Sequence, residues 1–177
     1  VDRSPIESKV NIASGLYDFR PYIQRGRLPF AGPGTSGLCF SRWILERILP
    51  MPLASHVSLS DKYLKRLSMA LSAGFFIKEP LAVQRLHEDN AFTLRRDKER
   101  LKARINVLTA YWMRGNFPEF SRLANTTFAF GIERYWYSGG IEENYKSLAS
   151  EYWSATPVWA KLEIALRVVY RRVKSFV

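Results

Sequence analysis

The stretch that decides the reading runs Gly32-Pro-Gly-Thr-Ser-Gly-Leu-Cys-Phe40, passes through Ser60-Asp-Lys-Tyr-Leu64, and closes with Glu79-Pro-Leu-Ala-Val-Gln-Arg-Leu-His-Glu-Asp-Asn90. In order it spells a glycine-rich turn, a helix, a second helix opened by an acid, a short strand and a histidine-bearing turn. Its polar residues gather at the junctions of these elements, where α/β folds carry functional groups. Three glycines in six residues permit backbone angles and close approaches that side chains forbid. The turn is thus either structural or a cradle for phosphate or sugar. It lacks the Lys-Ser/Thr ending of a P-loop and is not a dinucleotide fingerprint.

Working outward, Ser41 is a predicted N-cap for a helix through Leu49, with Ile44, Leu45, Ile48 and Leu49 facing inward. Pro50 and Pro52 stop it. Ser60 caps the next helix, which runs to Leu71 or Ser72 with Leu64, Leu67 and Leu71 inward. Asp61 stands at its first position, where the helix-end N–H groups favour a carboxylate. Two readings stay open for Asp61: helix-end electrostatics, or a general base at the rim of a cleft. Ala73-Gly74 breaks the helix, and Phe75, Phe76 and Ile77 form a brief strand. Residues 81–86 continue extended, with Leu81, Val83 and Arg85 on one side. His87 follows, with Glu88, Asp89 and Asn90 behind it. Two histidines and one cysteine do not make a zinc site of the Cys/His type. An oxygen-rich magnesium or manganese site completed by substrate phosphates stays open.

Before this stretch, Pro5, Gly15, Pro21, Gly26 and Pro29 interrupt any long element, so Val10 to Phe19 suggest only short strands or turns. After it, the character becomes helical. Leu101, Ile105, Leu108 and Trp112 carry the stripe of one helix, ended by Gly115 and Pro118. Phe120, Leu123, Ala124 and Phe128 mark a second over residues 119–130, ended by Gly131. Ile141, Tyr145, Leu148 and Tyr152 mark a third over residues 141–153. Thr156 caps a fourth, with Pro157 at its first position. Its predicted buried face is Leu162, Leu166, Val169 and Val173, broadened by Ile164, Ala165 and Val168. Lys161, Arg167, Arg171, Arg172 and Lys174 make this last helix basic and amphipathic.

Composition sets the limits. The chain has 177 residues, 47% of them hydrophobic, which is enough to bury a core. The net charge of +11 directs attention to an anionic membrane face, a phosphate ligand, nucleic acid or an acidic companion domain. The lone Cys39, between Leu38 and Phe40, reads as a buried thiol and fits a reducing compartment. No stretch has the length of apolar residues that a transmembrane span needs. The first residue is Val1 rather than Met, which suggests a processed or truncated chain.

Residues 32 to about 92 resemble the C-terminal part of the catalytic domain of bacterial family 2 glycosyltransferases, inverting enzymes of GT-A fold. The resemblance lies in four pieces in order: Pro33-Gly-Thr-Ser-Gly-Leu-Cys-Phe-Ser-Arg42, Leu45-Glu-Arg-Ile-Leu-Pro-Met-Pro52, Asp61-Lys-Tyr-Leu64 and Glu79 to Asn90. It implies an α/β fragment of a GT-A-like domain (short strands, two helices) over residues 1–92. A mainly helical extension of about four helices would occupy residues 93–177. It implies that Asp61 deprotonates the acceptor hydroxyl. Thr35, Ser36 and Gly37 would line the sugar site, and Arg85 would neutralise phosphate charge. His87 would approach the diphosphate or its divalent cation, manganese or magnesium. The chain would be the acceptor-side portion of an enzyme that moves a sugar from a nucleotide sugar to a hydroxyl acceptor. It would lack the upstream nucleotide-binding half and be incomplete without it.

Two other readings compete. The chain is a non-enzymatic basic helical module on an anionic membrane surface, with nucleic acid ranked lower because no nucleic-acid module is present. Or it is an accessory chain that self-associates or meets a partner supplying the missing half. Localisation follows as cytoplasmic, peripheral at the inner face of a bacterial membrane.

Overall fold

The computed structural model describes residues 12–28, 37–51, 61–79 and 95–174. Among these, the elements are β1 (Gly15–Tyr17), α1 (Arg20–Gln24), α2 (Arg42–Ile48), α3 (Asp61–Leu71), β2 (Gly74–Phe76), α4 (Lys98–Asn116), α5 (Ser121–Tyr137), α6 (Glu143–Ser154) and α7 (Val158–Lys174). Seven helices carry the architecture. The sheet among the described residues is one antiparallel pair, with Leu16 opposite Phe75.

That architecture overturns the GT-A expectation. A GT-A core needs a broad sheet built from strand–helix units, whereas a three-residue ribbon is what the described residues contain. Helices α2 and α3 and strand β2 form near their expected positions, whereas the extended segment expected over residues 81–86 lies outside the described residues. The described pieces pack on a helical body and form no nucleotide-binding layer.

The body is organised by α4 and α5, an αα-hairpin closed by a 3₁₀ turn at Pro118–Phe120. Helix α4 is buried on nearly every side, at Leu101, Ala103, Ile105, Asn106, Val107, Leu108, Thr109, Ala110 and Met113. Residues 105–110 are buried consecutively, so this stretch of α4 is enclosed all round and lies at the centre of the body. Two clusters share it. In one, Ile23, Ile44, Ile48, Tyr63 and Leu67 from α1–α3 pack on Met113, Leu123 and Ala124. In the other, Ala103, Val107 and Ala110 meet Phe128, Ala129, Tyr152, Ile164 and Val168. Phe128 and Tyr152 stack at 4.1 Å between ring centroids, joining α5 to α6.

Gly131 was expected to end its helix, yet α5 continues through it to Tyr137. The reason is close approach: a Cβ there would lie 2.6 Å from Val107 Cγ2, 3.0 Å from the Val107 nitrogen and 3.2 Å from the Ala103 carbonyl. Tertiary packing has overridden the weak helix preference of glycine. Tyr135, Trp136 and Tyr137 are consequently helical. Pro21, expected to interrupt any long element, sits in the first turn of the five-residue α1, where its missing N–H costs nothing. Cys39, expected buried, is exposed.

Polar ties brace the body. Arg104 of α4 donates to both carboxylate oxygens of Glu142 at 2.6 Å each, and the Tyr135 hydroxyl adds a bond at 3.3 Å. Thr156 is buried, and its hydroxyl donates back to the Tyr152 carbonyl at 2.7 Å instead of capping α7. Arg114 donates to that same hydroxyl oxygen at 2.6 Å and also bonds the Ala155 carbonyl.

Two outcomes are expected. Gly131→Ala should destabilise the fold by about 1–3 kcal/mol, since backbone on α4 cannot yield to the new methyl; urea unfolding measures it. The hydrogen bonds from Arg104 hold the Glu142 carboxyl below its ordinary 4.5, with burial opposing. Its contribution is therefore present above that value and lost as the pH falls through the lower folded value. Glu142→Gln should cost on the order of 1–3 kcal/mol near neutrality. The gap to the parent chain should close in acid, as followed by thermal unfolding across pH.

Candidate functional site

The last helix has two apolar faces, and only one is used for folding. Ala160, Ile164 and Val168 recur every four residues and face the body. Arg171 continues that row, 3.8 Å from the Phe130 ring centroid, with its Nε 3.8 Å from Glu133. The opposite face carries Trp159, Leu162, Leu166, Val169 and Val173, a 3-4-3-4 spacing that forms one stripe. Leu162 and Leu166 are 62% exposed, Val169 53% and Val173 59%. These four, broadened by Ile164, Ala165 and Val168, were the expected buried face; the structure buries Ile164 and Val168 and turns the four outward. Val158 and Tyr170 widen the exposed stripe.

Helical geometry of 100° per residue sets the charges along its edges. Lys161 and Arg172 border one edge, Arg167 and Lys174 the other. Glu163 is the sole acid of α7 and pairs with Arg167 at 2.7 Å. Beside the first edge, α5, α6 and α7 enclose an apolar groove of roughly 470 Å³. Its floor is Phe128, Ile164 and Val168, and exposed Trp136 and Trp153 stand at its sides. Lys161 sits 5.9 Å from the Trp153 ring, and Arg172 sits 4.1 Å from that of Tyr137 and 5.4 Å from that of Trp136. Cation–π attraction thus fixes two cations where the groove meets the stripe. No helix among the described residues is long and apolar enough to cross a membrane.

The residues singled out from the sequence lie elsewhere. Asp61 opens α3 as expected, half-buried, and its carboxylate pairs with Lys65 of the next turn at 3.1 Å. Gly37 is exposed. Thr35, Ser36, Arg85 and His87 lie outside the described residues. Among the described residues no group of three His, Cys, Asp or Glu side chains converges as a metal site; His87, the residue expected to approach the cation, lies outside them. Together with the helical architecture, this corrects the inverting-glycosyltransferase reading and the enzyme expectation attached to it.

No protein-family model, curated protein or solved structure matches the chain. The geometry alone therefore carries the functional reading. The sequence contained the signal for the exposed face. Seven of the large apolar residues of α7 exceed what one narrow row against α5 requires, and they fall on the side away from Ala160, Ile164 and Val168.

Proposed function

We propose that this chain is a non-enzymatic, basic helical module that lies on an anionic membrane surface through the outer face of α7. The observation that carries the reading is the exposed Trp159–Leu162–Leu166–Val169–Val173 stripe with cations on both edges. An amphipathic helix with apolar residues on one side and Lys or Arg flanking them suits the headgroup–acyl boundary. The long stems of Lys161, Arg167, Arg172 and Lys174 reach toward lipid phosphates while their methylenes stay near the apolar zone. Trp136, Tyr137 and Trp153 neighbour the same edge, and aromatic rings of this kind favour the interface.

Magnitudes agree in sign. Fully burying a Leu or Val side chain is worth about 1.5–3 kcal/mol. Each Lys or Arg near an anionic leaflet adds about 1 kcal/mol. Several half-immersed side chains plus four cations suffice for reversible attachment. The chain-wide excess of +11 acts in the same direction and over a longer range. An anionic leaflet is characteristic of the cytoplasmic side, which supports a peripheral location there.

The test is flotation with vesicles of phosphatidylcholine alone and with a third phosphatidylserine. The parent chain should float with the anionic vesicles, less so as salt rises, and Leu162→Ser/Leu166→Ser should reduce binding at least tenfold without changing the unfolding midpoint in solution. Equal binding to neutral vesicles, or undiminished binding by the double variant, rules the reading out. So does a stable dimer in solution that the same two substitutions dissociate, because the stripe would then be a helix–helix seam.

A further inference from the structure

A second feature lies on α3 and α4, away from the α7 surface. Lys62 Nζ and Arg66 Nη2 both donate to one acceptor, the Asn106 side-chain oxygen, at 3.1 Å and 3.2 Å. That acceptor is neutral. Arg66 is only 5% exposed, and its Nη1 is buried with no hydrogen-bond partner. The nearby acid, Asp61, is engaged by Lys65. Two cations thus share one amide oxygen, and among the described residues no carboxylate bonds to either of them.

Such an arrangement is unusual on physical grounds. Buried charges are normally paired, and an orphaned guanidinium nitrogen forfeits a bond that water would supply. The environment responds accordingly. Burial pushes the Lys62 ammonium down to about 7, with repulsion from Arg66 and Arg134 adding to it and Asp61 opposing. Burial likewise lowers Arg66 to about 9. Groups shifted in this way by burial and like charge are found at ligand sites as well as in structural networks, and here the geometry leaves a donor unfilled.

The missing partner can be specified. It is an anion, since every unfilled hydrogen-bonding atom here is a donor. It carries about two charges, to match Lys62 and Arg66. It is compact and many-oxygened, because a guanidinium fork and an ammonium approach from different directions. Lys62 is only partly buried and gives the site its opening.

We propose that Lys62, Arg66 and Asn106 form a binding site for a phosphate group, as inorganic phosphate or a phosphomonoester, at the junction of α3 and α4. Arg66 Nη1 is closed to solvent, so entry requires the partly exposed Lys62 side chain to move aside; oxygens of the phosphate then take Nη1 and the Lys62 protons, and both cations gain a counter-charge. No bond is made or broken; the site holds the group.

Side-chain NMR of Arg66 in the intact chain supplies a readout that needs no substitution. Inorganic phosphate or glycerol 3-phosphate should shift the guanidinium resonances saturably, and chloride at equal ionic strength should not. Calorimetry should show at least tenfold weaker phosphate binding for Lys62→Met and for Arg66→Met, while Leu162→Ser/Leu166→Ser binds like the parent. If Arg66→Met does not fold, Lys62→Gln, at the more exposed position, stands in for it. A response to the soluble phosphates identifies a free ligand, whereas a response confined to phosphatidate vesicles identifies a lipid headgroup. Unmoved Arg66 resonances with all three probes, or phosphate binding that survives loss of Lys62, overturns the proposal.

Discussion

The approach of α5 to α4 at Gly131 is the constraint on which the remaining architecture rests. With hydrogen in place of a methyl, α5 lies against Val107 and the Ala103 carbonyl. That proximity lets Ala103, Val107 and Ala110 pack against α5 with small side chains, in the dense manner of well-ordered interiors. Because α4 is then covered on one side by α5 and on the other by α1–α3, it belongs to both apolar clusters. Beyond the β1–β2 ribbon, the small N-terminal elements are held by α3 against α4 and by α1 against α3 and α5.

Helix α7 comes last and covers α5 with only a narrow row of residues. Ala160, Ile164 and Val168 occupy one ridge, and α5 offers them one groove. Everything apolar beyond that row must face water or a partner. An exposed apolar stripe of this size on a folded chain usually marks a surface used in binding. The cations along both edges select among partners, since they oppose a basic or neutral apolar target and favour an anionic one.

How much of this was legible in the residues differs by element. Asp61 at a helix start, the Pro50 stop and the boundary near Pro157 follow from capping and proline chemistry, which are local. Local rules failed at Gly131, where close packing tolerated a residue that punctuates chains elsewhere, whereas Pro21 lies in the first turn of a helix of only five residues, in keeping with the expectation that no long element forms there. They failed differently at α7. Periodicity there revealed an amphipathic helix, yet two apolar rows were present and the stronger one was assigned to the core. Which row faces inward depends on the shape of α5, which a linear pattern does not contain. The Lys62–Arg66–Asn106 convergence was invisible for a similar reason: its members are 40 and 44 positions apart. The family resemblance rested on short motifs in sequence order, and the described residues hold a two-stranded ribbon in place of the sheet it implied.

Thr156 and its neighbours have a mechanical effect on α7. With the Thr156 hydroxyl turned to Tyr152 and clasped by Arg114, the start of α7 is pinned to α6 and α4. Toward its other end, Arg171 lies over Phe130 and Arg172 over Tyr137. A helix tethered at both ends has little freedom to roll and hide its outer residues against its own body. Its contact surface is preorganised, so docking need not spend conformational entropy on assembling it.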